Sequence, residues 1–285
     1  MEYTEWKGSA HSRAYVSESF RKVTSQYKVK ECLTCHVTNP IYDAKELTIR
    51  DHNREEGVSC VVCHLTPEQQ IAGPLTVLPA HSVKMNDPYY KSSKLCGTCH
   101  EEHFQEWEKF SNSKKKTGKG QIEKTCQDCH MPEVKRKLIT KGIFQYAHWE
   151  QQGKKHTFAI EVEPDKDVPW FRAEAKFENQ EKGKFEVDLQ FSHALPHSFP
   201  SGIFGFKAID LIVSVKNAEG RTMEEQIMTI YAENKKGIKP GKQVDHRFTF
   251  SNSVKEMGEF LVVQVRRRKH RTDPGRILLH KQYRI

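Results

Sequence analysis

All eight cysteines of the chain fall in C-x-x-C pairs, and each pair is followed at once by histidine. The segments read CLTCH (Cys32, Cys35, His36), CVVCH (Cys60, Cys63, His64), CGTCH (Cys96, Cys99, His100) and CQDCH (Cys126, Cys129, His130). A disulfide, a redox dithiol or a pair of four-cysteine zinc ribbons could use the sulfurs, but none of them needs the adjacent imidazole. With histidine at 15 of 285 positions, four such neighbours by chance have a probability on the order of 10⁻⁵, so the pattern reads as covalent haem attachment. Two thiols add across the vinyl groups at one porphyrin edge, and the next residue swings its imidazole under the ring toward iron.

The expected cofactors are therefore four covalently bound haem c groups, held by the eight cysteines, with His36, His64, His100 and His130 as proximal ligands. Four sites between residues 32 and 130 leave about 25 residues per haem, too few for each to own a core. The porphyrins must then pack on one another, which brings their edges within reach for electron transfer.

Eleven further histidines and six methionines compete for the sixth coordination position. Met131 sits too close to its own motif to reach across that haem, so bis-histidine ligation is expected at most sites. His11 in WKGSAHSRA, His81 in LPAHSVKM, His156 in KKHTFAIEV and His197 in HALPHSFPSG are the candidate distal donors. His52, His103 and His148 are reserves. His103 follows His100 by three residues and would have to serve a neighbouring haem. His246, His270 and His280 lie in strand-like or basic stretches and read as surface residues.

By composition, the hydrophobic fraction is 36%, thin for one large core, and the formal charge is +9. Four oxidised haems with their propionates would lower that to roughly +5, a mild field that does not call for nucleic acid. No run reaches the 18 uncharged apolar residues that suggest a membrane helix. Thioether attachment takes place outside the cytoplasmic membrane in known maturation systems. An extracytoplasmic site, periplasmic, cell-surface or extracellular, is expected, with a leader removed or outside the numbering.

Residues 1 to 154 offer short helices, such as Ser12 to Lys22 and Glu101 to Phe110, joined by loops that include the lysine-rich SNSKKKTGKG at 111 to 120. From residue 155 the pattern changes. KFEVDLQF alternates apolar and polar residues with the period of a half-buried strand, and HTFAIEV, WFRAEAKF, KAIDLIVSV, MEEQIMTIYA, DHRFTF, FLVVQVRR and RILLHKQY are similar. The fold class is mixed: a haem-organised tetrahaem domain of short helices and irregular chain at 1–154, and an antiparallel β-sandwich of immunoglobulin-like type at 155–285. RRRKHR at 266 to 271 reads as a solvated hairpin tip, with a docking patch for an acidic redox partner as the alternative. Trp6 and Trp107 could wedge against haem faces.

W-x-x-S-A-H at Trp6 to His11, then GVSCVVCH, SKLCGTCH and CQDCHMP, resembles multihaem cytochromes c of the class containing the tetrahaem cytochrome of the hydroxylamine pathway. The likeness spans residues 6 to 132. LPHSFPSG before a strand resembles the loop opening the β domain of larger multihaem members. The resemblance implies low-spin bis-histidine haems and extracytoplasmic electron transfer to redox partner proteins. It also includes chains that polymerise into conductive filaments, in some cases with a distal histidine from the next subunit. Where relatives often carry a further W-x-x-S-x-H after Trp107, this chain has the lysine run. The competing function is an oxidoreductase in which one haem keeps an open site for a small nitrogen or sulfur compound.

Overall fold

The structure is a computed structural model. It describes residues 2–75, 83–116, 124–159, 169–180, 184–202, 207–232, 237–251, 253–254, 258–269 and 273–285, without the side chains of 114–116, 144 and 178–180. The chain forms two compact units, Met1–Phe104 with Gly120–Glu163, and Gln105–Lys119 with Pro164–Ile285.

The first unit is built from short pieces: helices α1 (Glu2–Lys7), α2 (Glu18–Val23), α3 (Lys30–His36), α4 (Cys60–His64), α5 (Lys94–Gly97), the start of α6 (Glu101–Lys116) and α7 (Cys126–His130). Two small two-stranded sheets join them, parallel β1 (Ile71–Ala72) with β2 (Val83–Lys84), and antiparallel β3 (Glu133–Arg136) with β4 (Gln151–Lys154). Helices of four to seven residues are too short to persist on intrinsic propensity. Caps and packing hold them instead. Thr125 and Asp128 form a reciprocal capping box on α7, and Asp87 accepts the Tyr89 N–H at 3.0 Å to start the turn Pro88–Lys91.

The apolar interior of this unit is meagre. One cluster gathers Phe20, Leu33 and Val37, another Tyr42, Ala72 and Tyr90. Where a single helix from Ser12 to Lys22 is expected, residues 10–16 form turns and α2 begins at Glu18. The Ser12 hydroxyl donates to the Lys7 carbonyl at 2.7 Å and the Ser9 carbonyl at 3.0 Å, a local pairing that competes with continuous helix. The unit also extends past residue 154, because the Ala159 N–H donates to the His130 carbonyl at 2.8 Å and ties the segment after β4 back to α7. Thus of the segment HTFAIEV, the described part at 156–159 is turn and irregular chain and packs with the first unit; the rest lies outside the described residues.

The helix after the third motif is longer than expected. It runs through the first lysines to Lys116, so residues 111–116 of the supposed loop are helical, while 117–120 lie outside the described residues. No glycine or proline interrupts it before Gly118, and lysine is a good helix former. In the second unit Glu106 of this helix accepts the Ser198 N–H and hydroxyl, both at 2.7 Å, and Lys239 Nζ at 2.6 Å. Burial alone would raise that carboxyl, but Lys239 and Ser198 outweigh it and hold it at about 2.

Among the described residues, the rest of the second unit contains seven strands: β5 (Phe171–Gln180), β6 (Lys184–His193), β7 (Ala208–Lys216), β8 (Thr222–Tyr231), β9 (Gln243–Ser251), β10 (Phe260–Arg268) and β11 (Arg276–Arg284). They form antiparallel sheets in the orders β5-β6-β9 and β11-β10-β7-β8. Both sheets feed one core: Phe185, Val187, Leu189 and Phe191 of β6 and Phe248 and Phe250 of β9 with Ile209, Leu211, Val213 and Val215 of β7 and Leu261, Val263 and Val265 of β10. The alternation read in KFEVDLQF is the alternation of burial along β6. β7 is buried on both faces along Ala208–Val215, as befits a central strand.

On the other face of β7, Asp210 is fully buried. It accepts from Arg266 Nε at 3.0 Å, Arg268 Nε at 2.8 Å and Thr229 Oγ1 at 2.8 Å. Burial would raise the Asp210 carboxyl, and Arg268, Thr229 and Arg266 together pull it below the usual carboxylate range. Arg266–Arg268 are therefore strand residues, two of them committed to a buried carboxylate, and not the solvated tip or free docking patch expected from RRRKHR; 270–272 lie outside the described residues. Replacing Asp210 with alanine strands two guanidinium groups over an apolar sheet. Asp210→Ala is expected to destabilise the second unit by about 3–5 kcal/mol in urea denaturation followed by tryptophan fluorescence.

Candidate haem-attachment sites

Each C-x-x-C-H segment occupies about one helical turn, in α3, α4 and α7 and, for the third, in α5 and the turn leading to α6. Positions i, i+3 and i+4 share one helix face, so a single turn presents both thiols and the imidazole in the same direction. None of the eight cysteines is joined to another in a disulfide. Gly97, within the third motif, packs under Phe104: a Cβ there would lie 2.7 Å from the Phe104 ring.

Three of the four motif histidines are oriented in the same way. The Nδ1 of His36 faces the Ala14 carbonyl at 2.6 Å, that of His64 the Ala72 carbonyl at 2.7 Å and that of His130 the Ala159 carbonyl at 2.7 Å. A carbonyl only accepts, so Nδ1 carries the proton and Nε2 keeps its lone pair for a metal. Aromatic rings pack flat on two of them. Phe20 stacks on His36 at 3.9 Å between centroids and Tyr90 on His64 at 5.0 Å.

The motifs converge. Cys35 lies beside Cys99 and Cys96 beside Cys126, with Cys63 near both Cys96 and Cys99. Gln127, inside the fourth motif, donates from Nε2 to the Tyr90 and Ser92 carbonyls at 3.1 and 2.8 Å. The Cys126 N–H donates to Ser93 Oγ at 3.0 Å, just ahead of the third motif.

Two candidate distal histidines stand opposite motif histidines. The rings of His11 and His100 are 6.2 Å apart and those of His156 and His64 are 6.1 Å apart. A metal–imidazole bond of about 2.0–2.1 Å, with roughly 1.1 Å more to each ring centre, puts trans imidazole centroids about 6 Å apart. His103 also lies 6.1 Å from His100, but three residues on along the same chain turn, with its ring perpendicular. His11 is pushed down to about 4 by burial, then by His100 and His36; burial first, then His64, lowers His156. Both are thus held neutral, the form that ligates.

This donor set fits haem: paired thiols beside a pre-oriented imidazole, with a second neutral imidazole across from it at two motifs. A four-cysteine zinc ribbon would gather all its sulfurs around one point, and among the described residues no group of three or more His, Cys, Asp or Glu is placed to hold a metal ion alone.

His81 lies outside the described residues. His197 belongs to the second unit, with Nδ1 at 3.1 Å from the Ser198 carbonyl. His52 is exposed, and His148 is half-buried beside the exposed Trp149. His246 packs against Phe248 at 4.6 Å in β9, and His193 is a core residue bonded through Nε2 to the Ile238 carbonyl at 2.9 Å. Trp6 is buried and donates from Nε1 to the Val58 carbonyl at 2.7 Å. The alanine carbonyls, Phe20 and Tyr90 escaped the sequence reading, and no residue-type signal marks them.

Residues 1–65 match the family described as cytochrome c554 and c-prime. No curated protein matches the sequence. Among solved structures, the penta-haem cytochrome c552 of Thermochromatium tepidum is similar in fold, with a TM-score of 0.64 at 13% identity over 100% of this chain and 96% of that one. A putative β-galactosidase from Bacteroides fragilis scores 0.26 at 10% identity over 42% of this chain and 16% of its own, a likeness that carries no argument. The family match thus covers the N-terminal 65 residues, and the likeness to the penta-haem cytochrome is one of fold.

The His11 turn is seated on Gly57. Gly57 has φ +59°, a Cβ there would meet the His11 carbonyl oxygen at 2.5 Å, and the Val58 N–H donates to that oxygen at 3.0 Å. Gly57→Ala is expected to cost about 1–3 kcal/mol and to speed hydrogen exchange at the Val58 amide, with exchange at β7 unchanged.

Proposed function

We propose that the chain is an extracytoplasmic tetrahaem cytochrome c that carries electrons, with one haem on each C-x-x-C-H motif. The carrying observation is the pair of facing imidazoles, His11 with His100 and His64 with His156, at 6.2 and 6.1 Å. Bound haem supplies a one-electron iron centre whose potential depends on its axial ligands and their surroundings.

The chain's own residues then have defined parts. The eight cysteines anchor the groups; the Ala14, Ala72 and Ala159 carbonyls fix His36, His64 and His130 with Nε2 available. His11 and His156 complete the third and second sites. Within the first unit, His81 is the candidate donor for the first and fourth, with His103 in reserve. Facing imidazoles at the second and third sites favour electron transfer over substrate conversion there. The seven strands, divided four and three, support an immunoglobulin-like type for the second unit.

A second copy of the chain is the proposed partner. On and just after the turn Ile143–Tyr146, the side chains of Ile143, Tyr146 and Trp149 are 79%, 80% and 77% exposed, a cluster of large apolar groups that water does not favour. This supports assembly into a homopolymer that would extend the conducting path.

The intact protein is expected to have the mass of the polypeptide plus four haems and a wholly low-spin ferric EPR spectrum. Any other haem count overturns the tetrahaem reading, and a high-spin signal from one haem in four moves the function to an open-site oxidoreductase. Light scattering at micromolar concentration is expected to show large particles. Tyr146→Lys with Trp149→Lys is expected to reduce them to monomers, and a monomeric parent protein would remove the polymer.

A further inference from the structure

His156 differs from the motif histidines in how it is held. Its Nδ1 is buried and has no hydrogen-bond partner, whereas His36, His64 and His130 each have a carbonyl to set the ring. Its orientation comes from its main chain and from edge-on packing against Phe158, 6.0 Å between ring centroids.

That main chain is clamped by a carboxylate from the other end of the unit. Glu5 Oε2 on α1 accepts the His156 N–H at 2.9 Å. Arg136 Nη2, at the end of β3, donates to both oxygens of Glu5 at 3.0 and 3.1 Å, and its Nη1 lies 3.2 Å from Glu2 Oε1. Arg136 is 5% exposed, so this guanidinium is committed to the two carboxylates that α1 places three residues apart on one face. One residue earlier, the Lys155 N–H donates to the Pro132 carbonyl at 2.8 Å, so the chain leaves the β3–β4 ladder and is caught at once by Glu5. Burial would raise the Glu5 carboxyl, and the His156 N–H and Arg136 outweigh it and keep it ionised. A charged acceptor makes a shorter and stronger hydrogen bond than a neutral one.

We propose that Glu5, locked by Arg136, is a positioning residue that holds the His156 imidazole opposite His64 and so keeps the second haem six-coordinate. The inference rests on the reading of His156 as an axial donor, and it assigns the sixth ligand's rigidity to an ion pair from α1 and β3. Loss of a charge-assisted hydrogen bond should let the imidazole leave the iron roughly tenfold more often, or more.

The test uses the haem-loaded full-length protein with carbon monoxide as the probe of an open sixth position, together with ferric EPR. In His156→Ala, one haem is expected to become high-spin and bind carbon monoxide, with added imidazole restoring the low-spin spectrum. In Glu5→Ala, carbon monoxide binding at one haem is expected to rise roughly tenfold or more, also reversed by imidazole. Glu5→Gln, which keeps an acceptor for the His156 N–H, should fall between this and the parent protein and covers the case in which Glu5→Ala does not fold. If His156→Ala stays wholly low-spin, the ligand reading beneath the proposal fails. If His156→Ala opens a haem while both Glu5 variants bind carbon monoxide no faster than the parent protein, the positioning role alone is overturned.

Discussion

The first unit depends on a one-turn constraint: two thiols and an imidazole must leave the chain on the same side, with the imidazole's other nitrogen tied to a main-chain carbonyl. The partners Ala14, Ala72 and Ala159 lie 22, 8 and 29 residues from their histidines. Three of the four motifs thus recruit a carbonyl from another segment, and the loops of the unit are the means of delivering those carbonyls. Among the described residues the two apolar clusters of this unit hold three buried side chains each, a thin interior for a unit of this length. Crosslinked cofactors would supply the missing interior, which is why thin apolar content and dense cysteine usage belong together here.

The second unit is stabilised by a different balance. Two antiparallel sheets close over a continuous aliphatic and aromatic core, and a full charge beneath the surface, Asp210, is matched by two arginines and a threonine. Glu106 uses the same device at smaller scale, joining a helix to the Ser198 loop through two hydrogen bonds and a lysine. In both cases a carboxylate, fully buried at Asp210 and half-buried at Glu106, is tolerated because its partners approach from different elements, which makes it a register mark for the pieces it joins.

Seven of the eight strands read in the sequence are present, because strict alternation in a segment such as KFEVDLQF leaves one geometry that buries its apolar half. HTFAIEV failed as a strand over its described residues for a long-range reason: hydrogen bonds to His130 and Glu5 take its backbone groups into the first unit. Residues 111–116 of the lysine run are helix and not loop, because helix propensity continues unbroken from Glu101. RRRKHR misled in the same way, since no local feature of a basic cluster reveals a buried aspartate 56 residues earlier in the chain.

What the sequence determined by itself is the local placement of the donors, since thiol, thiol and imidazole at i, i+3 and i+4 meet on one face of any helical turn, whatever surrounds them. It also determined the strands, whose period is local. Which histidine faces which was decided by tertiary structure alone. His11 reaches His100 and His156 reaches His64 across 89 and 92 residues of chain, and the Glu5–Arg136 clamp spans 131. Such pairings depend on the path of the intervening backbone, a global property that composition and spacing do not encode.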